Sequence, residues 1–214
     1  MKDKRFLLVG CWLGFVLVAQ FLKFSIPMGE QAASLSCLAV ALPLLAAFLP
    51  AKKSRPIIGL VWMVLHLIHP VPLTMGIPTL LAALSWQYSG KKTGANWMMH
   101  LALPILAMAL FALAPAGKVA WPYALYWLIP MALYFVKAST WTRALQSTFV
   151  AHAVGSVIWA YAVPMSGAQW LGLIPVVAVE RLLAASLAVV LVQVLSAVSV
   201  RKEGIANNLA PNTI

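Results

Sequence analysis

Residues 146–183 decide the fold, and they read QSTFVAHAVGSVIWAYAVPMSGAQWLGLIPVVAVERLL. Two apolar runs flank a short Pro-Met-Ser-Gly segment, a pattern typical of two helices joined by a tight turn. His152 lies in the middle of the first run, and Glu180 and Arg181 lie inside the second. Ionisable side chains are costly within a membrane span and mark candidate functional sites there. We therefore interpret this hairpin as the centre of the molecule.

The composition indicates an integral membrane protein. Of the 214 residues, 63% are hydrophobic and only 9% are charged, whereas a soluble domain carries about 25% charged residues. At about 20 residues per span, the chain supplies roughly six or seven spans and leaves no room for a soluble catalytic domain. The two cysteines, Cys11 and Cys37, lie in apolar runs without Cys-x-x-Cys spacing, so we interpret them as small buried hydrophobic residues.

The basic residues indicate membrane topology and not a nucleic-acid partner. The net charge is +11, but the lysines and arginines form short clusters between apolar runs instead of one basic face. With the N-terminus inside, the predicted cytoplasmic loops hold most of the 15 basic residues, in agreement with the positive-inside rule. These are Lys2, Lys4, Arg5, Lys52, Lys53, Arg55, Lys91, Lys92, Lys137, Arg143, Arg201 and Lys202. The sequence therefore predicts a protein of the plasma (inner) membrane with both termini in the cytoplasm.

Six apolar runs predict transmembrane helices around one further, proline-broken segment. The six runs cover residues 6–22, 32–49, 97–115, 119–136, 144–163 and 169–200. Residues 56–86 contain four prolines, which break helix interiors. We predict two short pieces there, 57–68 and 78–86, that re-enter the membrane or form a short-helix hairpin. The predicted fold is an all-α polytopic integral membrane protein, with one membrane domain at 1–202 and a disordered cytoplasmic tail at 203–214.

The last run is too long for one upright span. Its 32 residues extend about 48 Å as a helix, against a hydrocarbon core of about 30 Å. The helix therefore either tilts and projects from the membrane or begins at Pro175, since proline is favourable at the first helical position.

The run at 119–136 begins with four aromatic residues, namely Trp121, Tyr123, Tyr126 and Trp127. Tryptophan and tyrosine prefer the headgroup region of a bilayer. We therefore predict that these side chains lie at the membrane surface.

Two kinds of enzyme chemistry are excluded, one by the number of acidic residues and one by the lack of a glycine-rich loop. Only Asp3, Glu30, Glu180 and Glu203 are acidic, and only Glu180 lies in a predicted span, which excludes a paired-carboxylate mechanism. The chain has no Gly-rich loop of the Walker type, so it does not bind and split nucleotide in that manner.

Three histidines are weak candidates for a metal site. His66 and His69 lie three residues apart on one face of a short predicted helix, and His100 is the third candidate ligand. No His-Glu-x-x-His pattern and no nearby carboxylate complete the set. We therefore predict no metal and no cofactor, and we interpret these residues as hydrogen-bonded interior histidines.

Four side chains recur on one face of the helix predicted at 144–163. Thr148, His152, Ser156 and Trp159 follow one another at spacings of four, four and three residues. Two interpretations stay open for this stripe. It either lines a pocket or serves close packing, since small residues such as Gly155 and Ser156 let neighbouring helices approach in membranes.

Glu180 and Arg181 are consecutive, so their side chains leave the helix about 100° apart. This geometry places them poorly to neutralise one another, and we expect each to need its own partner or Arg181 to extend outward. The hairpin brings both residues near His152 and Trp159 in the outer half of the membrane. A structural ion pair that locks helices and a ligand pocket are both compatible with this pattern.

Two motifs in the hairpin resemble those of a known family. Residues 149–161 contain His-x-x-Gly-Ser-x-x-Trp, and residues 174–180 read Ile-Pro-x-x-x-x-Glu. Over about 50 residues the chain resembles the substrate-binding S components of energy-coupling-factor vitamin transporters. The resemblance implies uptake of a vitamin or similar metabolite without enzymatic activity. It also implies docking on an energising membrane subunit with ATPases through alanines four apart in the first helix, where this chain has Gly10 and Gly14.

The leading hypothesis is a membrane transport subunit that binds a small polar or aromatic metabolite in an outward-facing pocket between the last two helices. Trp159 would stack on the ligand, Glu180, Arg181 and His152 would bind its polar groups, and Ser156 and Thr148 complete the set. One rival is an intramembrane enzyme with His152 as base and Glu180 as orienting acid. The other is a structural membrane protein whose buried charges serve assembly. A ligand-sized outward cavity favours transport over both.

Overall fold

The computed structural model describes residues 10–28 except 11, 13, 17 and 20, together with residues 31–48, 56–63 and 73–209. The described chain is mostly helical, and residues described between 10 and 19 are all in helix. The further elements are β1 (Lys23–Met28), β2 (Gln31–Ser36), α1 (Ala41–Phe48), α2 (56–63), α3 (Leu73–Tyr88), α4 (Gly94–Leu113), α5 (Leu128–Tyr134), α6 (Thr140–Ala162) and α7 (Gly167–Leu209). Short 3₁₀ helices, Cys37–Val40 and Trp121–Trp127, precede α1 and α5.

The all-α prediction is wrong at residues 23–28 and 31–36, where β1 and β2 pair as a two-stranded antiparallel sheet. In β2, Ala33 and Leu35 are buried while Ser34 between them is exposed, the alternation of a strand with one buried face. The predicted span at 32–49 therefore begins as a strand. Its α-helical part, α1, has only eight residues.

The segment at 56–86 contains two helices whose bounds differ from the prediction. α2 is described from 56 to 63, and residues 64–72 lie outside the described part of the chain. α3 begins at Leu73, so Pro78 lies in its second turn and does not start it. A Cβ added to Gly155 of α6 would lie 3.6 Å from the Pro78 ring, which shows that α3 and α6 approach closely at this point.

α4 corresponds to the span predicted at 97–115. Thr93 begins the helix as an N-cap, because its hydroxyl accepts the Asn96 N–H at 3.3 Å. The segment Met98–Ala102 is a π-helical turn. It lies next to Pro104, which has no N–H to contribute to the helix.

A capping box begins α6. Ser139 Oγ accepts the Thr142 N–H at 3.1 Å, and Thr142 Oγ1 accepts the Ser139 N–H at 2.7 Å. α7 begins at Gly167, so the alternative start at Pro175 is wrong. The helical backbone continues to Leu209, so residues 203–209, which the sequence assigns to a disordered tail, are helical. Residues 210–214 lie outside the described part of the chain.

Two described helices are long and apolar enough to cross a membrane, as judged by length and composition alone. They are Gly94–Leu113 and the part of α7 at Gly167–Val198. α6 has 23 residues, but its polar side chains interrupt the apolar run, so it is not among the helices that are apolar enough to cross a membrane. The run predicted at 119–136 forms Trp121–Trp127 and the seven-residue α5 instead of one long helix.

Two buried clusters hold the elements together. One joins α1, α2, α3 and α7 through residues such as Leu44, Ile58 and Ala185. The other is largely aromatic and joins α4, the 3₁₀ helix at 121–127 and α7 through Phe111 and Trp170. Side chains of both clusters line one cavity, so the packing of the two clusters determines the shape of this cavity.

Candidate functional site

A cavity of about 650 Å³ lies between α3, α6, α7 and β2. Its volume falls within the range of about 300–1,000 Å³ that is usual for ligand pockets. The cavity wall includes all six side chains that the sequence predicts for the site, namely Thr148, His152, Ser156, Trp159, Glu180 and Arg181. The four from α6 share one helix face, so the polar stripe does line a cavity. The packing interpretation also holds at Gly155, which lies against Pro78.

His152 is held by hydrogen bonds on both ring nitrogens. Trp127 Nε1 donates to His152 Nδ1 at 3.1 Å, and the Tyr123 hydroxyl lies 2.8 Å from His152 Nε2. An indole N–H can only donate, so Nδ1 accepts, and the neutral ring carries its proton on Nε2 and donates to Tyr123. The Tyr123 hydroxyl also lies 3.2 Å from Ser156 Oγ. Because both nitrogens are engaged, His152 has no free lone pair with which to act as a base.

Glu180 finds its main partner in the β-hairpin. The Ser34 N–H donates to Glu180 Oε1 at 2.7 Å, and the Ser34 hydroxyl lies 3.4 Å from the same oxygen. Arg181 Nη2 lies 3.4 Å from Glu180 Oε2, so the expectation that these neighbours do not face one another is wrong. The long arginine side chain bends back toward the carboxylate, but the contact is longer than the 2.7–2.9 Å typical of a strong charged hydrogen bond.

Two buried donors on the cavity wall have no hydrogen-bond partner among the described residues. They are Nε of Arg181 and Nε1 of Trp170. A buried donor that is left unpaired costs about 1–3 kcal/mol, so such donors are rare in native proteins. Both residues line the same cavity, but these two nitrogens have almost no accessible surface, so they lie beneath the cavity wall and do not face its open space.

Tyr123 and Trp127 do not lie at the surface as the sequence predicts. Their exposed fractions are 3% and 0%, whereas Trp121 is 58% exposed. Phe111 stacks on Tyr123 at 5.6 Å between ring centroids, and Trp170 packs edge-on against Tyr123 at 4.9 Å. The surface prediction is therefore wrong for Tyr123 and Trp127, because their rings fill a buried cluster and their polar atoms hold His152.

The weak metal candidates do not form a site in the described chain. His100 is fully buried, with Nε2 2.8 Å from Ser85 Oγ and Nδ1 2.6 Å from Asn96 Oδ1. Both nitrogens are thus engaged, as expected of a hydrogen-bonded interior histidine. His66 and His69 lie outside the described residues. Among the described residues, no group of three histidine, cysteine or acidic side chains is arranged to hold a metal ion.

The sequence interpretation missed four residues that build the site: Ser34, Tyr123, Trp127 and Trp170. Ser34 lies in the strand that ends at Ser36. The alternation of apolar and polar residues at Ala33, Ser34 and Leu35 is the sequence signal that could have indicated this strand. The two residues that hold His152 carry no signal of this role, because they are separated from it by 29 and 25 residues in the chain. Trp170 lies three turns before Arg181, which places both on one helix face.

We expect Tyr123→Phe to lower the free energy of unfolding by about 1–3 kcal/mol, because it leaves His152 Nε2–H and Ser156 Oγ buried with one partner fewer. Thermal unfolding in detergent measures the change. Tyr161→Phe removes a hydroxyl from an exposed residue, where water can replace its hydrogen bond to the Leu110 carbonyl, and it should change stability by less than about 0.5 kcal/mol. Equal effects of the two substitutions would contradict the proposed role of Tyr123.

Comparison with known proteins adds no assignment. No protein-family model matches the chain, and no curated protein and no solved structure matches it. The functional interpretation of this protein therefore depends on the residues of the cavity and on their geometry.

Proposed function

We propose that this protein is a membrane-embedded transport subunit that binds a small polar or aromatic metabolite, similar to a vitamin, in the cavity between α6 and α7. One observation carries the proposal. The cavity has the volume of a ligand pocket, and its wall contains an acid and a guanidinium in a chain that is 63% hydrophobic. In this role Arg181 and Glu180 bind polar groups, and Trp159 stacks on the ligand.

The outer surface supports a membrane location. Leu106 and Leu113 of α4 and Leu182, Val190 and Val194 of α7 are each more than half exposed. Soluble monomers rarely expose large contiguous apolar surfaces. Together with the two helices that are long and apolar enough to cross a membrane, this supports the plasma membrane as the proposed location.

The basic residues support an orientation. Arg143 Nη1 donates to the Trp86 carbonyl at 3.3 Å, so the start of α6 and the turn with Lys91 and Lys92 lie at one end of the molecule. By the positive-inside rule this end faces the cytoplasm, with both termini on the same side. The cavity residues Trp159 and Trp170 then lie toward the outer face, where a transport subunit receives its ligand.

The two rival functions receive less support. The enzyme hypothesis requires His152 to act as a base, but Trp127 and Tyr123 occupy both of its nitrogens. A purely structural role for the charges requires no cavity, whereas a volume of about 650 Å³ lies beside them. Energy for uptake would come from a membrane subunit with ATPases. The resemblance places the docking of that subunit at alanines four apart, and this chain departs from the motif because it has Gly10 and Gly14 at that spacing.

Mass spectrometry of small molecules that co-purify with the protein tests the proposal. We expect one metabolite at close to one molecule per protein, and we expect it to exchange with ligand added from outside in right-side-out vesicles. The protein carrying Trp121→Leu, an exposed aromatic residue away from the cavity, should retain the metabolite, and Trp159→Leu should lose most of it. Preparations that contain lipid alone, with no bound metabolite, would contradict a transport role.

A further inference from the structure

The described wall of the cavity is electrically neutral. Its only charged side chains are Glu180 and Arg181, which lie in contact at 3.4 Å. His152 is the one histidine on the described wall, and Trp127 holds it in the neutral form by donating to Nδ1. A ligand that carries a net charge would therefore bring an unbalanced charge into a partly open, largely apolar cavity, which is costly.

The polar groups of the same wall include donors and acceptors. Arg181 Nε and Trp170 Nε1 are buried without a partner among the described residues, and neither atom can accept a hydrogen bond. The carboxylate is better satisfied, because Glu180 Oε1 accepts the Ser34 N–H at 2.7 Å. The wall also carries acceptors, namely the hydroxyls of Ser36, Thr148 and Ser156 and the Glu180 carboxylate, so it offers both donors and acceptors to the polar substituent of a neutral ligand.

The apolar part of the wall is mostly aliphatic but includes four aromatic side chains, of which Trp159 is 43% exposed and the other three are at most 4% exposed. Trp86, Trp159 and Trp170 line the cavity together with Tyr123. Aromatic side chains stack on planar rings or meet their edges, which favours flat ligands over flexible aliphatic ones. The cavity volume of about 650 Å³ accommodates a molecule of one to three fused rings with space for its polar substituent.

We infer that the cavity takes an uncharged molecule with a planar aromatic ring, which packs against Trp159 beside the balanced Glu180–Arg181 pair. This inference rests on the proposed function and names the chemical class of its ligand. The side chains of Glu180 and Arg181 stay in contact when this ligand binds, so the pair remains electrically neutral. Carboxylates and ammonium compounds with the same ring are rejected because each would leave one charge unbalanced.

Four probes that share an indole ring test the charge rule on the purified full-length protein in lipid nanodiscs at pH 7. They are indole-3-acetamide, which is neutral, indole-3-acetate, an anion, tryptamine, a cation, and tryptophan, a zwitterion. By isothermal titration we expect indole-3-acetamide to bind at least about tenfold more tightly than any of the other three. Tighter binding of tryptophan would show that the pair opens to hold two opposite charges, and it would overturn the inference.

Charge variants make the test sharper. Glu180→Gln leaves Arg181 unbalanced and should move the preference to indole-3-acetate, by about tenfold or more over indole-3-acetamide. Arg181→Gln should move it to tryptamine, and the double variant should return it to indole-3-acetamide. Lys137→Gln, which changes a charge away from the cavity, should preserve the wild-type order. An order that is the same in all variants overturns the inference.

Failure of the ligand class and failure of the transport role are distinguishable. If none of the four probes binds wild-type protein, the inference of an uncharged aromatic ligand is wrong, whereas a co-purifying metabolite would still support uptake. If the probes bind in the expected order but no metabolite co-purifies or exchanges across the membrane, the cavity has the inferred specificity and the transport role is wrong.

Discussion

Replacing Ala151 by tryptophan is expected to weaken binding of the metabolite that the proposed function predicts by about 100-fold or more, which corresponds to about 2.7 kcal/mol. Ala151 lies on the cavity face of α6, between Thr148 and Gly155. An indole side chain at this position projects into the cavity and occupies space that the ligand needs. Since the space is open, the added volume does not have to displace packed neighbours. Equilibrium binding to the purified variant measures the loss.

The matched control is Ala109→Trp, because Ala109 is exposed on α4 and does not line the cavity. It should bind the metabolite as the wild type does. Both variants should unfold within a few degrees of the wild type, which separates blocked binding from misfolding. If Ala151→Trp binds normally while it remains folded, the ligand does not occupy this cavity, and the proposed function is wrong.

Replacing Glu180 by alanine is expected to lower the free energy of unfolding by about 2–3 kcal/mol. Removing one partner of a buried ion pair costs about 3–5 kcal/mol, and the partial exposure of Arg181, 22% of its side chain, reduces that cost. The Ser34 N–H also loses its acceptor, so the β-hairpin loses its hydrogen bond to α7. Thermal unfolding gives the stability, and hydrogen exchange at residues 31–36 reports the release of the hairpin.

Two further variants separate these contributions. Glu180→Gln keeps an oxygen for the Ser34 N–H but removes the charge, so it should retain hairpin protection and lose part of the stability. Ser34→Ala removes only the hydroxyl, whose contact of 3.4 Å is weak, and should change stability by less than about 0.5 kcal/mol. Hairpin protection that is unchanged in Glu180→Ala would contradict the role of Glu180 as the attachment point.

The local patterns of the chain predicted much of the helical part. Helical periodicity alone placed Thr148, His152, Ser156 and Trp159 on one face, and the structure shows that this face lines a cavity. The turn at 164–166 and the long helix after it follow from Pro164, Ser166 and the apolar run. These features depend on neighbours within a few residues, so no tertiary information is needed to find them.

Other predictions failed where distant contacts override a local preference. Residues 32–36 read as the start of a helix, but pairing with β1 and the bond from Ser34 to Glu180 hold them as a strand. Tyr123 and Trp127 read as surface aromatics, but they are buried where their polar atoms reach His152. In each case the stabilising partner is far away in the chain, and its position is set only when the helices pack.

By itself, the sequence determined that the protein is apolar and mostly helical and that six polar or aromatic side chains fall on two neighbouring helices. Periodicity and hydropathy are local properties, and they carry over directly into structure. Only the tertiary structure decided that these side chains surround one cavity, that Glu180 binds a backbone N–H 146 residues away and that His152 is held neutral. Those outcomes depend on the packing of separate elements, which brings together groups that no spacing along the chain relates.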